Sequence, residues 1–483
     1  MDSQTFRDQL QARWRERLGP LWKSRLAAAG GALTLGLVAL GFAWAADQAM
    51  RLFGALVDRW PYAPLALTPL AFALLAWLTA RVAPAARGSG IPQVLAAAGD
   101  MQGAMTRGLI TLRTAAFKIA ATVAALAVGA SAGREGPTVQ VGAAIMAAAH
   151  RWLRVPLTSA VAIAGGAAGV SAAFNTPLAG VAFAIEELAA AYEQRLAMLV
   201  MAAVMISGFV SLSLAGDYVY FGVVTETLPV LRALLIAVVA GVVGGALGGA
   251  FSRILLDGPK WIRPLKARPV SAAAVCGLIV AGVGVASRGL TWGTGYAAAR
   301  TLVEGGHQPL LFAPAKFVAT VATSLSGVPG GIFAPSLAVG AGLGGWIGLV
   351  FPHDSGGAVA TLCMIAYFTG VVRAPLTAVV IISEMTADRA MLMPLFAAAI
   401  VADAVAKLIS PERLYHGLAK GFVAAAAPPA TSPSNAESSS DEAQRRSEDP
   451  AGPGVIPPVT PLHAAVSPER LGPRVKPEDD SGI

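Results

Sequence analysis

Charged residues are scarce in this chain. Of its 483 residues only 13% are Asp, Glu, Lys or Arg, whereas 55% are hydrophobic. An ordinary soluble domain carries about 25% charged residues, so this composition excludes one. The mean hydropathy is +0.63, and apolar runs fill most of the chain from residue 26 to residue 419. We therefore expect an all-α integral membrane protein in contact with membrane lipid.

Cysteine and histidine are also rare, with two and five residues respectively. Cys276 and Cys363 lie within apolar segments, which favours small core residues over a disulfide or a metal role. The histidines show no metal-binding spacing, and a membrane-embedded enzyme would need a metal or a nucleophile–base cluster. We therefore expect no metal, no other cofactor and no enzymatic activity. A receptor or a purely structural membrane protein would not need the carboxylates described below.

The net charge of +8 does not indicate nucleic-acid binding, because the basic residues are scattered over loops. Residues 1–25 hold six Lys or Arg against three acids and lack a clear cleavage site. They predict an amphipathic helix on the cytoplasmic face. A basic loop at 260–268 is expected on the same face. Residues 422–483, rich in proline, serine and acids, predict a disordered cytoplasmic tail. Both termini would then be cytoplasmic in a multi-pass protein of the inner membrane.

The membrane part contains a long repeat. Segments 133–137 (GREGP) and 331–335 (GIFAP) lie 198 residues apart, and each leads from a glycine-rich loop into a helix through a proline. A Pro-Leu pair follows 40 residues after each proline, and a glutamate follows nine residues later, at Glu186 and Glu384. Repeated halves are typical of transporters whose binding site lies where broken helices of the two halves meet.

Many apolar runs are only ten to seventeen residues long, whereas a full membrane span needs about twenty. Non-helical backbone at membrane depth is stable only where it is buried in protein or lines a cavity, so the interruptions indicate an internal polar site. We assign residues 26–215 to the first half and residues 216–421 to the second. Paired glycines, such as 165–166 and 344–345, are expected to let helices pack closely.

Three loops share a pattern of small residues followed by a proline at a helix start: 88–92 (GSGIP), 133–137 and 331–335. Glycine lets backbone N–H groups approach a ligand, and proline is suited to the first helical position. Helix N-termini carry about half a positive charge each and attract anions. Each loop alone could simply break and pack helices, and Ser89 could be a capping hydroxyl. Three matched loops favour an anion site.

Glu135 lies between two apolar stretches beside one of these helix starts. Burial of an unpaired carboxylate is costly, so Glu135 either occupies the anion position, pairs with Arg134 or takes up a proton. A carboxylate that competes with a transported anion, and leaves when protonated, would act as a gate. A static pair or cap with Arg134 is the alternative.

Four further polar residues need an explanation. Glu186 is repeated by Glu384, which favours a structural role, whereas Glu187 is not repeated and is the better functional candidate. Lys118 either sets the electrostatic potential near Glu135 or snorkels to the membrane surface. Tyr415 either offers a hydroxyl donor or is an aromatic residue of the membrane interface.

Taken in order, these motifs resemble the CLC family of chloride channels and chloride/proton antiporters. The resemblance covers about residues 20–420 and includes GSGIP, GREGPTVQ, AAFNTPLAG with the following acid pair, GGIFAP, RAPLT and a late Leu-Tyr. It implies a homodimer with one pore per subunit. It also implies that two inverted-topology halves, with many short, tilted and broken helices, surround each pore.

The resemblance implies a role for each candidate residue. Chloride would bind between the hydroxyls of Ser89 and Tyr415 and the backbone amides of Ile332 and Phe333. Glu135 would be the external gating glutamate, supported by Gly133, Arg134, Gly136 and Lys118. Glu187, beside Glu186, would be the internal proton-transfer glutamate.

Two positions bear on the subclass. Passive channels of the family typically lack an acid at the position of Glu187, so an antiporter is favoured over a voltage- or pH-gated channel. Nitrate-selective relatives carry proline at the position of Ser89 and fluoride exporters depart from serine, so chloride is the expected substrate. Gln93 and Leu95 stand where some bacterial relatives carry acids, which leaves the intracellular proton route open.

Overall fold

The structure, a computed structural model, describes residues 3–188, 194–216, 221–222, 228–261, 268–386 and 391–424. These residues form eighteen α-helices, and the one β-bridge found among them joins Gly133 to Gly331. Two predicted segments lie partly outside the described residues: the tail from residue 425 onward, and the basic loop over residues 262–267.

The helices follow one another with short connections. In chain order they are α1 (Ser3–Arg59), α2 (Pro64–Val82), α3 (Ile91–Gly99), α4 (Met101–Thr106), α5 (Leu112–Leu126), α6 (Glu135–Trp152), α7 (Ser159–Phe174), α8 (Pro177–Phe183), α9 (Gln194–Ala215), α10 (Val230–Trp261), α11 (Pro269–Ala286), α12 (Tyr296–Val303), α13 (Phe312–Leu325), α14 (Phe333–Gly348), α15 (Gly356–Val372), α16 (Pro375–Thr386), α17 (Leu392–Ile409) and α18 (Leu414–Ala424). A π-helical turn, Ala184–Leu188, extends α8.

The helices fall into long spans and short apolar pieces. Among the described residues six helices are long and apolar enough to cross a membrane: α1 from Trp22 onward, α2, α9, α10, α11 and α17. The helices α7 and α13 to α16 are apolar but shorter. The prediction of an all-α membrane protein with many short helices is confirmed. The segment expected as a separate helix over 1–25 opens α1, which continues without interruption to Arg59.

The packing of one half repeats in the other. Helix α6 packs on α7 as α14 packs on α15, and α1 packs on α9 as α10 packs on α17. Gly133 and Gly331, which occupy equivalent positions in the repeat, exchange both backbone N–H···O hydrogen bonds at 2.7 Å. An antiparallel pair of equivalent residues that exchanges both bonds has a local two-fold axis between them. The two halves therefore meet in an inverted arrangement.

Glycines bring the helices of each half into backbone contact. A methyl group on Gly165 would lie 2.6 Å from the carbonyl oxygen of Gly142, and one on Gly344 would lie 2.5 Å from Cα of Ala360. Real side chains do not tolerate such distances, so close packing is confirmed at these two positions. Gly345 differs, because a methyl group there would meet only the side chain of Leu310, at 3.9 Å.

The repeated glutamates cap helices of the opposite half. Glu384 accepts hydrogen bonds from the N–H groups of Leu178 (3.2 Å) and Ala179 (2.8 Å) at the start of α8. In return, Glu186 accepts from the second and third residues of α16, at 3.1 Å and 2.7 Å. Both helices begin with proline, so each carboxylate satisfies the next two amides, which have no acceptor within their own helix. Glu186 is thus engaged in a structural contact.

We expect loss of either cap to destabilise the packing of α8 against α16. Glu186→Ala and Glu384→Ala should each cost about 1–2 kcal/mol, because two amide donors lose their acceptor at a helix start. Thermal unfolding of the detergent-solubilised protein measures this. Glu304→Ala is the control, since it removes an acid whose ion pair with Arg300 is exposed and contributes little. A cap variant as stable as Glu304→Ala would contradict the expectation.

Candidate functional site

The three glycine-proline loops meet at the Gly133–Gly331 bridge. The N–H of Gly330 donates to the carbonyl oxygen of Gly88 at 3.2 Å, which joins the first loop to the third. A methyl group on Gly136 would overlap Oγ of Ser89, so the first loop also contacts the second. The helices α3, α6 and α14 therefore begin close to one another, and their partial positive charges add in one place.

Ser89 is held in place by its backbone. Gly90, the residue before α3, has φ +113°, a conformation that glycine adopts readily. A methyl group there would also lie 2.7 Å from the carbonyl oxygen of Gly136. On the other side, Nζ of Lys118 donates to the carbonyl oxygens of Ala86 (2.8 Å) and Gly88 (2.6 Å). Lys118 is fully buried, so the snorkelling interpretation is wrong.

The second half contains the counterpart of Lys118, which we did not predict. Lys316 lies 198 residues later and is also fully buried. Its Nζ donates to the carbonyl oxygens of Thr291 (3.0 Å) and Gly293 (2.8 Å), in the loop before α12. The offset from Lys118 equals that between the two glycine-rich loops, so the repeat carried the signal. Each half thus uses a buried lysine to brace a loop.

Two buried hydroxyls lie at a cavity of about 530 Å³ that Ser89, Ile332 and Tyr415 help to line. The hydroxyls of Ser89 and Tyr415 lie close together but not in hydrogen-bonding geometry. Neither has a hydrogen-bond partner among the described residues. Tyr415 is fully buried, so the interfacial interpretation is wrong. A buried hydroxyl without a partner is costly, and a bound acceptor would satisfy it.

The start of α14 faces the same cavity. Ile332 precedes this helix and Phe333 begins it, so their N–H groups are among those that have no acceptor within the helix. The ring of Phe333 packs 6.0 Å from that of Tyr415, centroid to centroid, which holds the helix start beside the hydroxyl. Arg87 and Arg107 also line the cavity, and their positive charge attracts anions. The arrangement suits a small anion.

Glu135 is the first residue of α6 and is fully buried. One carboxylate oxygen, Oε1, accepts a hydrogen bond of 2.5 Å from the hydroxyl of Tyr296. The other, Oε2, has no hydrogen-bond partner among the described residues. A methyl group on Gly133 would overlap Oε2, so glycine leaves room for the carboxylate in this position. Glu135 therefore has one hydrogen-bonded oxygen and one without a partner among the described residues.

A second cavity, of about 580 Å³, lies beside Glu135 and is lined by Asp47, Arg134 and Tyr296 among others. Nη1 of Arg134 donates to Asp47 and to the carbonyl oxygen of Ala43, both at 2.8 Å. Glu135 thus lies between Arg134, which lines this second cavity, and Gly136, which touches Ser89 at the first cavity.

Tyr296 was absent from the sequence-based site. It follows Gly295, which has φ +85°, just as Ile91 follows the positive-φ Gly90. Each pair begins a short helix after a loop that is braced by a buried lysine. The two helix starts are alike in structure, but 205 residues separate them rather than 198, so the sequence repeat alone does not locate position 296.

Glu187 lies in the π-helical turn after α8 and is 1% exposed. Its carboxylate faces two residues near the start of α18. Nδ1 of His416 lies 3.3 Å from Oε1, and Nη1 of Arg413 lies 3.9 Å from Oε2. The adjacent Glu186 is occupied with capping α16, so Glu187 is the member of the pair that is not part of a helix cap.

Gln93 and Leu95 are both placed in α3. Nε2 of Gln93 donates to the carbonyl oxygens of Ala85 (2.9 Å) and Arg87 (2.7 Å), so this side chain braces the loop before Ser89. Leu95 is a partly buried apolar residue packed against the core. Neither side chain can carry a proton by titration.

Sequence comparison identifies relatives over most of the chain. The family described as voltage gated chloride channel matches residues 70–407. The H(+)/Cl(-) exchange transporter ClcA of Salmonella agona (strain SL483) is 32% identical over 439 residues, which cover 85% of this chain and 90% of the relative. The protein of the same name from Citrobacter koseri is 32% identical over 418 residues, or 80% of this chain and 86% of the relative.

Solved structures share the fold. A slow cyanobacterial Cl-/H+ antiporter superposes with a TM-score of 0.74 at 25% identity, over 83% of this chain and 98% of that protein. A CLC-type fluoride/proton antiporter superposes with a TM-score of 0.70 at 21% identity, over 81% of this chain and 96% of that protein.

Proposed function

Because the chain belongs to the voltage gated chloride channel family, we propose that it moves chloride across a membrane in exchange for protons. The observation that carries this proposal is the pair of buried hydroxyls of Ser89 and Tyr415 beside the start of α14, neither of which has a hydrogen-bond partner among the described residues. Relatives that are named H(+)/Cl(-) exchange transporters support the same activity.

Chloride binds, in this proposal, where the two hydroxyls and the amides of Ile332 and Phe333 point. These donors carry partial charges, so they hold a halide weakly enough to release it. Arg87 and Arg107 stay on the wall of the cavity and raise the local chloride concentration. The exchange of anions then requires no cation at the site itself.

Glu135 serves as the gate. Its neighbour Gly136 contacts Ser89, so the carboxylate lies one residue from the anion site. A negatively charged carboxylate competes with chloride for the same helix N-termini. When Oε2 takes up a proton, this attraction is lost and chloride can replace the carboxylate. Tyr296, which donates to Oε1, holds Glu135 on the side of the 580 Å³ cavity.

Glu187 receives the protons from the other end of the protein. It is buried and titratable, and it lines neither the 530 Å³ cavity nor the 580 Å³ cavity. Protons and chloride thereby share Glu135 and use separate routes elsewhere, because helix N-termini and hydroxyl donors repel a proton. The same family likeness supports an inner-membrane location, two cytoplasmic termini and a homodimer with one pore per subunit.

Liposomes that contain the purified protein test the function directly. A chloride gradient should release chloride and, at the same time, move protons against their own gradient, as recorded with chloride and pH electrodes. Chloride release without proton movement would identify a passive channel. The absence of any chloride release would reject anion transport.

Glu135→Gln should keep chloride flux and abolish both its pH dependence and its coupling to protons. The amide resembles the protonated, displaced carboxyl but cannot carry a proton. The same liposome assay measures both fluxes. Tyr296→Phe is the matched contrast, because it removes the hydrogen bond to Oε1 and leaves the carboxyl titratable, so coupling should persist. Uphill proton pumping by Glu135→Gln would reject the gate.

Tyr415→Phe should weaken chloride binding about tenfold or more, since a hydrogen bond to a charged partner contributes about 1.5–3 kcal/mol. The ring, and with it the contact with Phe333, is retained. Calorimetric titration with chloride measures the affinity. Tyr367→Phe is the control, because the Tyr367 hydroxyl is also buried and unpartnered among the described residues but does not line the 530 Å³ cavity. Equal affinities in the two variants would exclude Tyr415 from the site.

Glu187→Val should stop proton transport and leave chloride flux measurable, because the proton route loses its titratable group. Glu186→Val should instead lower protein yield and stability, because it removes the cap of α16. Both variants are measured in liposomes and by size-exclusion chromatography. Continued uphill proton movement in Glu187→Val would show that protons use another route.

A further inference from the structure

Glu187 lies apart from both large cavities. Its side chain is fully buried, and it lines neither the 530 Å³ cavity nor the 580 Å³ cavity. The cavity that gives chloride access to Ser89 and Tyr415 therefore does not bring water to Glu187. A proton that loads this carboxylate needs a different path from the solution.

Two side chains connect Glu187 with the surface. The side chain of His416 is 47% exposed, and that of Arg413 is 40% exposed. Arginine cannot release a proton at physiological pH. Histidine is the side chain that ordinarily titrates between pH 5 and 8, and its two ring nitrogens let it accept a proton on one side and donate on the other. Since Nδ1 of His416 faces Glu187 at 3.3 Å, the geometry favours His416 as the connection.

We propose that His416 is the relay that transfers protons between the solution and Glu187. This inference rests on the proposed function. In the loading step a proton from water or buffer binds Nε2, and the proton on Nδ1 passes to Oε1 of Glu187. The products are a neutral imidazole and a carboxylic acid. The ring is restored when water or buffer removes the proton from Nε2 and a second water or buffer molecule protonates Nδ1, so only N–H and O–H bonds form and break.

The groups nearest to Glu187 set its local charge. The carbonyl oxygen of Glu186 accepts a hydrogen bond of 3.2 Å from Nη1 of Arg413, so the arginine is anchored beside the carboxylate. Glu186, which precedes Glu187 in the chain, is an acid and Arg413 is a base, so the two have opposite effects on the charge around Glu187. Tyr415, on the same helix as His416, also lies close to Glu187. Arg413 thus compensates the carboxylate, and His416 supplies the mobile proton.

Other charged residues on α18 and on the helices around it form ion pairs. Glu412 and Lys420 form an ion pair of 2.7 Å, and Asp257 pairs with Lys260 at 2.8 Å at the end of α10, with Arg253 at 4.0 Å. Helix α3 contains no titratable residue.

Helix α15 also packs on α18, and its titratable residues, Cys363 and Tyr367, are both buried. Among the described residues of these elements, His416 is therefore the histidine that faces Glu187.

The test compares His416→Asn with His416→Ala in liposomes of the full-length protein, at symmetric pH values between 5 and 8. Asparagine places an amide near the position of Nδ1, so it keeps a donor for Glu187 but cannot take up a proton. We expect proton flux to fall about tenfold or more in both variants, because a positioned proton donor is lost. The ratio of protons to chloride should fall with it, and the increase of proton flux toward low pH should disappear. Persistent chloride flux shows that the variants are folded.

His353→Asn is the matched control, since His353 is an exposed histidine outside the proposed route, and it should retain both fluxes and their pH dependence. If His416→Asn retains wild-type coupling, His416 only holds Glu187 in place, or is not needed, and the relay is rejected. If a variant releases no chloride, His416→Gln replaces it in the same comparison. If the wild-type protein moves no protons in exchange for chloride, both the proposed function and the relay are rejected. If the wild-type protein couples the two fluxes and the His416 variants couple them equally well, the relay alone is rejected.

Discussion

The exchange of two backbone hydrogen bonds between Gly133 and Gly331 is the contact on which the site depends. It joins equivalent loops of the two halves. Glycine suits this close approach, since a methyl group on Gly331 would lie 3.0 Å from the backbone nitrogen of Gly136, which is a tight contact. Because the bridge fixes both loops, the helices that follow them point their free amides into the same region. The anion site is therefore a consequence of how the halves join.

Buried charge is distributed around this junction according to its task. The two lysines, Lys118 and Lys316, are each satisfied by two carbonyl oxygens of a loop, so they fix backbone geometry. The half-buried Glu186 and Glu384 are satisfied by amides of the opposite half. Glu135, by contrast, has an oxygen without a hydrogen bond among the described residues. A buried charged group whose hydrogen bonds are all made stabilises the structure. A group that lacks some of its hydrogen bonds is free to change its protonation or its position.

The sequence predicted much of this arrangement because repeats, glycine-proline loops and buried acids are visible as patterns. It predicted the membrane fold, the meeting of the three loops and the structural contact of Glu186. It did not predict Tyr296 or His416, because their importance comes from contacts with Glu135 and Glu187 across 161 and 229 residues of chain. No local pattern encodes such a contact. For Lys118 and Tyr415 the surface-seeking alternatives were wrong, since composition alone does not show that a long polar side chain has partners inside the protein.

The bridge also shows how the two halves differ. Two identical halves joined by this bridge would carry the same residues on both sides of the junction. In this chain the equivalents differ: Glu135 corresponds to Phe333, and Arg134 to Ile332, at the 198-residue offset. One loop carries an ionisable side chain, and the other offers only its backbone. The two equivalent loops of a symmetric scaffold therefore differ in chemistry, which a transporter needs if it is to treat ions differently on the two sides of a membrane.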